Sequence, residues 1–323
     1  MAIARPWRSP RPDGPHPARV ADIPALNQVF SDAFTERYRR DGMVGVRVPF
    51  LNPAIWRYAI EDAGGGAMLW RDEHDEIAAF NIAHASGSEG WMGPLAVRPD
   101  LQASGVGKDV VRSAVSWLAA ERCRTIGLET MPRTMDNIGF YSSLGFVPGK
   151  LTVTVTIDAA PAAQPPQLLG KLGARAQDDA VAECRALTQS VLPGHDYSRE
   201  LRLTEDLALG VTLLLRDGDR LTGFALCHTV PLVEARPLEE VRVLKLVLAD
   251  ESLMPFAIAA LADIARRHKA RRIAMRAQTE YAGAYRQLIA AGARVRWTDL
   301  RMTMAEYAEP RANPGVVWSN WEI

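Results

Sequence analysis

Two spacings of apolar residues alternate along the first half of the chain, one helical and one typical of strands. Residues 22–34 carry apolar side chains at helical spacing behind Asp22, a good N-cap, which predicts an amphipathic helix. Segments 67–71, 77–85 and 90–97 are short and separated by turn-forming residues, so they predict a strand meander. The same reasoning predicts helices at 52–62, 107–122 and 136–144, and strands at 125–130 and 151–157.

The second half repeats this order of elements. Strands are predicted at 210–216 and 220–230 around the hairpin signal Asp217-Gly218-Asp219, and again at 241–248, 272–277 and 295–304. Helices are predicted at 178–192, 253–268 and 280–291. Segments 124–129 and 271–276 match at an offset of 147 residues, and Phe140-Tyr141 matches Ala284-Tyr285 at an offset of 144. A repeated order at a near-constant offset indicates two copies of one α+β unit.

Two stretches without apolar periodicity divide the chain. Residues 1–17 hold five prolines among arginines, a composition that predicts a flexible arm. Residues 158–167 are rich in Ala, Pro and Gln, as in a linker between domains. The predicted organisation is therefore an arm at 1–17, a domain at 18–157, a linker at 158–167, a second domain at 168–308 and a tail at 309–323.

Composition narrows the class of protein. Lys plus Arg and Asp plus Glu number 38 each, so no net field favours nucleic acid or an anionic membrane as partner. The first residues carry arginines without an apolar h-region, and no run of 18 apolar residues occurs, so we expect neither secretion nor a membrane span. The three cysteines have spacings that fit neither a disulfide framework nor a metal site. We therefore expect a cytoplasmic protein without metal.

The strongest chemical signal is a glycine-containing loop between a predicted strand and a predicted helix, at residues 102–108. Gly105 and Gly107 leave backbone N–H groups open to an anion, and the start of a helix adds unpaired donors. A Walker A loop does not fit, because Gln102 and Asp109 stand where glycine and Ser or Thr are needed. A dinucleotide fingerprint does not fit either, because Val110 stands at its third glycine.

The pattern Gln102-x-x-Gly105-x-Gly107, preceded by Val97-Arg98-Pro99, resembles the pyrophosphate motif of the GNAT superfamily of N-acetyltransferases. A second element, residues 137–146 with Tyr141 and Gly145, resembles the family helix beside the thiol end of CoA. The resemblance covers most of residues 18–157. It implies an α+β fold of two tandem GNAT-like domains, each a mixed, mostly antiparallel twisted sheet flanked by helices.

The resemblance also implies a donor, a reaction and a set of site residues. Acetyl-CoA would be the acyl donor, no metal would be required, and a primary amine of an acceptor would attack the thioester directly. Tyr141 would protonate the leaving thiolate. The family asparagine lies seven residues before this tyrosine, where the chain has Thr134, while Asn137 lies four before it. The residues expected to contact CoA are Leu95, Ala96, Val97, Gln102, Ala103, Ser104, Gly105, Val106, Gly107, Lys108, Asn137 and Tyr141.

The base that accepts the proton of the amine has several candidates. Glu89 at the start of the fourth strand is the residue we assign, while Glu129, His84 and a chain of water molecules remain alternatives. A phenol pKa of about 10 is close to that of an alkyl thiol, which makes Tyr141 a suitable acid.

The alternative function is that of a CoA-binding sensor or regulatory protein without turnover. The sequence does not identify the acceptor.

The corresponding region of the second half lacks the loop. Residues 246–256 contain no glycine, and Asp250 and Glu251 stand where phosphates would lie, as capping residues of a helix. The second domain is therefore predicted to be a degenerate copy that completes the acceptor cleft, forms a homodimer or stabilises the first. Trp318 and Trp321 predict a docked tail, packed within the chain or closing over the acceptor site or a partner subunit.

Overall fold

The structure, a computed structural model, describes residues 11–321. The elements of the first half are β1 (Asp13–Pro17), α1 (Ile23–Arg40), α2 (Pro53–Ala63), β2 (Ala67–Arg71), β3 (Ile77–Ser86), β4 (Glu89–Val97), α3 (Val106–Ala120), β5 (Thr125–Thr130), α4 (Met135–Ser142) and β6 (Phe146–Asp158). The elements of the second half are β7 (Gln167–Leu168), α5 (Ala174–Val191), α6 (Ser198–Asp206), β8 (Gly210–Asp217), β9 (Arg220–His228), β10 (Glu240–Leu248), α7 (Met254–Arg267), β11 (Arg272–Gln278), α8 (Ala282–Ala290), β12 (Arg294–Met304) and β13 (Val316–Ser319).

Helices cover both faces of the first half's strands. Alternate residues of β3 point to opposite faces, so Phe80 and Ile82 pack in the cluster that includes α1 and α2, whereas Ala83 packs in the cluster that includes α3. Local signals set where helices begin: the Asn52 side chain accepts a hydrogen bond from the backbone N–H of Ala54 (3.0 Å), and Pro53 opens α2. The predicted α+β class, a mixed and mostly antiparallel sheet flanked by helices, is confirmed.

The segment predicted as a flexible arm requires a correction. Residues 13–17 form strand β1, which pairs antiparallel with β2 in a register that joins Asp13 to Arg71 and Pro17 to Met68. The strand tolerates its prolines because it lies at an edge of the sheet, where half of its N–H groups need no partner. Residues 1–10 of the predicted arm lie outside the described residues. Sequence patterns also missed α6, β7 and β13.

The strands of both halves form one continuous sheet. Its order is β1-β2-β3-β4-β5-β12-β6-β11-β10-β9-β8-β7, with β13 beside β10. Strand β12 of the second half lies between β5 and β6 of the first, and β6 lies between β12 and β11. Next to β5 of the first half the order is β12 and then β6, and next to β11 of the second half it is β6 and then β12. Each half thus has a strand of the other half between its fifth strand and its sixth.

This exchange of β6 and β12 changes the meaning of the predicted domain boundaries. Segments 18–157 and 168–308 each lack one strand that the other supplies, so neither contains a complete sheet. Residues 159–166 between β6 and β7 do form an irregular connection, where the sequence places the linker. The two halves are consequently two structural repeats within one hydrogen-bonded unit.

Candidate active site

The loop before α3 presents a row of unused backbone donors. None of the N–H groups of residues 103–107 donates a hydrogen bond to a group in the described part of the chain. Gly105 caps α3 at a φ of 100°, a conformation that side chains rarely adopt, and an added Cβ would meet only Arg11, at 3.8 Å. A helix N-terminus with several free amides is a ready anion site.

Two side chains of the predicted motif hold this loop through hydrogen bonds to backbone carbonyl groups. Gln102 donates through Nε2 to the carbonyl of Val97 (3.2 Å), and Ser104 donates through Oγ to the carbonyl of Leu101 (2.6 Å). Gly107 faces the ring of Phe140, which would lie 3.4 Å from an added Cβ. Lys108 is exposed and free to add positive charge.

A wedge opens between β4 and β5 next to the loop. The two parallel strands pair only from Glu89 with Thr125 to Met92 with Leu128. Beyond Met92 the register of β4 shifts, and Leu95, Ala96 and Val97 pair with β3 alone. Their backbone groups on the β5 side are therefore available to an extended ligand that enters the wedge.

Helix α4 flanks the wedge and brings Tyr141 to it. The Tyr141 ring packs against Phe140 and Phe146 at centroid distances of 5.1 and 6.1 Å, in the same apolar cluster as Leu95. Its hydroxyl makes no hydrogen bond within the described residues, and burial raises the pKa of Tyr141 to about 12. Asn137 donates to the Thr130 hydroxyl at 3.4 Å. Thr134, at the family's asparagine position, is buried and donates to Asp41 (2.8 Å).

A cavity of about 520 Å³ lies where the bulge of β4 meets the second half, a volume suited to a small molecule. The first half contributes α1 through Phe34 and Tyr38, and β3 and β4 through His84, Trp91 and Gly93. The second half contributes Arg242, Arg276, Trp297, Asp299 and Arg301, and the tail contributes Ser319, Asn320 and Trp321. Both repeats and the tail therefore form its wall.

Comparison with known proteins identifies the first repeat. Residues 25–146, which include the loop, the wedge and α4, match the model of the acetyltransferase (GNAT) family. These residues form a GNAT acetyltransferase domain. Members of the family take acetyl-CoA as acetyl donor, and no cluster of ligands able to hold a metal ion occurs among residues 11–321. No curated protein matches the sequence.

Solved structures resemble the whole two-part architecture. A candidate acetyltransferase from Pyrococcus horikoshii superposes with a TM-score of 0.67 at 17% identity, covering 95% of this chain and 94% of that one. A GCN5-related N-acetyltransferase from Sphaerobacter thermophilus gives 0.58 at 14% identity, covering 91% and 95%. A tandem GNAT protein from the clavulanic acid biosynthesis pathway gives 0.53 at 10% identity, covering 88% and 98%. At such identities the likeness concerns the fold, and it extends through the second repeat.

Glu89, the base assigned from sequence, is buried and does not line the cavity between the repeats. Its carboxylate accepts hydrogen bonds from three side chains, Trp91 (2.9 Å), Tyr197 (3.0 Å) and Ser319 (2.8 Å). Burial opposes its charge, but the electrostatic effects of His195, Lys245 and Arg301 and the hydrogen bond from Ser319 together hold the pKa of Glu89 below its usual value. Three of the roughly four lone-pair positions of this carboxylate thus accept hydrogen bonds where the two repeats and the tail meet.

Glu129 lies on the cavity wall but is held as an ion pair. It contacts the guanidinium groups of Arg276 and Arg301, the latter at 2.7 Å. Burial disfavours its charge, yet the two arginines lower the pKa of Glu129 to about 2. A carboxylate of that pKa is a weak base near pH 7.

His84 combines a position on the cavity wall with a free ring nitrogen. Nδ1 lies 2.6 Å from Asp62, whose lowered pKa keeps it ionised and therefore only an acceptor, so Nδ1 carries the proton. Nε2 has no hydrogen-bond partner among the described residues, and the side chain is 2% exposed. Burial lowers the pKa of His84 more than Asp62 raises it, which leaves the imidazole neutral near pH 7. The 22-residue separation from Asp62 concealed this pair in the sequence.

The second repeat has the same wedge without the anion site. Strands β10 and β11 pair from Glu240 to Val243 only, as β4 and β5 do before they diverge. At the start of the following helix, Asp250 accepts a hydrogen bond from the Ser252 N–H (2.8 Å), as expected for a capping residue. The carboxylate of Glu251 lies directly against Gly283 and near Gln287. A side-chain carboxylate thus occupies this region of the second repeat.

The tail fills the second wedge. Strand β13 pairs antiparallel with the divergent end of β10, from Lys245 with Ser319 to Leu248 with Val316. Trp318 within it is 2% exposed, and the chain continues from β13 to Trp321 on the cavity wall. In the GNAT domain the corresponding wedge between β4 and β5 holds no strand from residues 11–321. Strand β13 therefore occupies in the second repeat the space that is open in the first.

Replacing Trp318 by alanine is expected to lower the free energy of unfolding by about 3 to 5 kcal/mol, because a fully buried indole ring is removed from this wedge. Urea denaturation followed by circular dichroism measures the change. Trp297→Ala, which removes an indole that is 37% exposed, serves as control and should cost about 1 kcal/mol. Equal losses in the two variants would show that β13 does not fill a packed wedge.

Across the described residues, no helix has the length and apolar character needed to span a membrane.

Proposed function

We propose that this protein is an acetyl-CoA-dependent N-acetyltransferase that binds one CoA in its first repeat and acetylates a primary amine held in the cavity between the repeats. The observation that carries the proposal is the row of free N–H groups at residues 103–107, which continues into the open wedge beside β4. Amides at a helix start suit a pyrophosphate, and strand backbone groups suit the amide-bearing pantetheine arm.

In this arrangement Gln102, Ala103, Ser104, Gly105, Val106, Gly107 and Lys108 would hold the pyrophosphate. Leu95, Ala96 and Val97 would offer backbone groups to the pantetheine arm, and Asn137 and Tyr141 would border its thiol end. The acetyl group would then lie near the bulge of β4 at Gly93, which is also a wall of the cavity.

The acceptor amine would attack the thioester carbonyl, forming the C–N bond, while the C–S bond breaks. His84 rather than Glu89 is the base that this geometry favours, because the Nε2 lone pair is free whereas the Glu89 carboxylate accepts three hydrogen bonds. The amine proton would pass to Nε2. The ring of Trp321 stacks on His84 at a centroid distance of 5.8 Å, so it has to shift for an amine to reach that nitrogen.

Tyr141 would donate its hydroxyl proton to the departing thiolate. A pKa raised to about 12 keeps the phenol protonated but makes transfer to the thiolate less favourable than for an unperturbed tyrosine. We therefore expect Tyr141 to raise the rate by about 10²-fold, the lower end of the range for a general acid.

The test is release of free CoA thiol from acetyl-CoA in the presence of a panel of primary amines. Tyr141→Phe is expected to lower kcat by about 100-fold, since it removes only the proton donor. Tyr285→Phe, at the matching position of the second repeat, is the control and should leave kcat unchanged. Measurable CoA affinity without turnover on any amine would refute the catalytic function and favour a CoA sensor.

A further inference from the structure

The charges on the residues that line the cavity limit which acceptors it can bind, provided that the protein has the proposed acetyltransferase function. The acidic residues on the wall are Glu129, Glu240 and Asp299, and each is ion-paired with arginine. Glu129 contacts Arg276 and Arg301, Asp299 contacts Arg276 at 3.1 Å, and Glu240 contacts Arg272 at 3.1 Å. Among the described lining residues, every carboxylate therefore already has a guanidinium partner that balances its charge.

The formal charges on the wall also balance. Three acidic side chains face the three guanidinium groups of Arg242, Arg276 and Arg301, while burial keeps His84 neutral. Arg301 is further tied to Glu309 and lies over the ring of Trp91, 3.8 Å from its centroid. A balanced wall supplies no net field for a polycation such as a polyamine or an aminoglycoside.

Six aromatic side chains belong to the remaining surface of the cavity. Helix α1 presents Phe34, whose ring lies 4.6 Å from that of Phe30, and Tyr38 one turn further on. Trp91, Trp297 and Trp321 face the cavity from the other sides. Rings in such numbers bind flat apolar groups through area burial and through edge or offset contacts.

We propose that the acceptor is a primary amine on an aromatic body without a second cationic group. Its amine lies toward His84 and the β4 bulge, and its ring packs against the α1 face at Phe34. Because its only cation loses a proton on reaction, the site needs no unpaired carboxylate, which agrees with the ion pairing of all three acidic lining residues.

The experiment compares 2-phenylethylamine, propylamine and spermidine as acceptors, in thiol release and in calorimetric binding to the protein saturated with CoA. The expected kcat/KM is highest for 2-phenylethylamine, by about 100-fold over spermidine. Phe34→Ala should lower kcat/KM and affinity for 2-phenylethylamine by about tenfold and leave the values for propylamine unchanged. Phe256→Ala, which alters an exposed phenylalanine on α7, is the matched control and should change neither.

The two readouts separate the possible failures. Preference for spermidine, or equal loss for both monoamines in Phe34→Ala, would overturn the aromatic acceptor while leaving the acetyltransferase function intact. Binding of 2-phenylethylamine that depends on Phe34, without thiol release from any amine, would support the acceptor site and overturn the proposed catalysis. Absence of both binding and turnover with 2-phenylethylamine would overturn the acceptor proposal.

Discussion

Replacing His84 with glutamine is expected to lower kcat for acetyl transfer by about 10²- to 10⁴-fold, the usual contribution of a positioned general base. Glutamine keeps a polar group of similar reach but cannot take up the amine proton. The dissociation constant for CoA should not change, because the loop at residues 103–107, which we propose holds the pyrophosphate, does not include His84 or its partner Asp62. Calorimetric titration with CoA therefore also shows that the variant is folded.

The pH profile gives this prediction a second readout. Burial places the pKa of His84 below its ordinary value of 6.5, and only the neutral ring can accept a proton. The kcat/KM of the wild-type protein should therefore be level near neutral pH and fall as the pH drops through the His84 pKa. The variant should lack this acid limb.

His74→Gln, in an exposed turn, is the control for the substitution and should keep both the rate and the limb. An unchanged kcat in His84→Gln would exclude this residue as the base. Glu89, Glu129 or a chain of water molecules would then have to accept the proton.

A fragment comprising residues 1–160 is expected to show no cooperative unfolding transition, whereas the whole chain unfolds in one. Strand β6 pairs only with β11 and β12, and both belong to the second half. The fragment therefore leaves β6 without a neighbour and exposes the edge of β5 that β12 covers. Urea titration followed by circular dichroism and tryptophan fluorescence measures the transition.

Mixing this fragment with residues 161–323 is the control, because it restores both missing pairings and should restore the transition. A fragment that unfolds cooperatively by itself would mean that β6 can pair with β5 directly. In that case the exchange of strands would not be required for stability.

This exchange marks the limit of what the sequence predicts. Strand β5 is found at residues 125–130 as expected, and the alternation in β6 and β12 indicates two strands. Alternation fixes which side chains are buried but not which strand lies alongside. The pairing of β12 with β5 depends on contacts between residues more than 150 positions apart, which no local pattern records.

The candidate site likewise has features that the local sequence predicts and features that depend on residues distant in the chain. The loop at Gly105 was predictable because a glycine in the left-handed region followed by a helix start is a local signal. The pairing of His84 with Asp62 and the ion pairs of Glu129 were not, since each joins elements distant in sequence. The sequence offered three candidate bases. Only the structure shows that His84 Nε2 has no hydrogen-bond partner among the described residues, whereas Glu89 and Glu129 already accept hydrogen bonds or form ion pairs.

Isothermal titration of the whole chain with CoA tests the central claim most directly. We expect one CoA per chain, an affinity lowered by at least about 100-fold in Gly105→Val, where a branched side chain has to adopt a φ of 100°, and an unchanged affinity in Asp250→Ala at the matching helix start of the second repeat. Two CoA molecules per chain, or an affinity that survives Gly105→Val and falls in Asp250→Ala, would contradict the assignment of the CoA site to the first repeat.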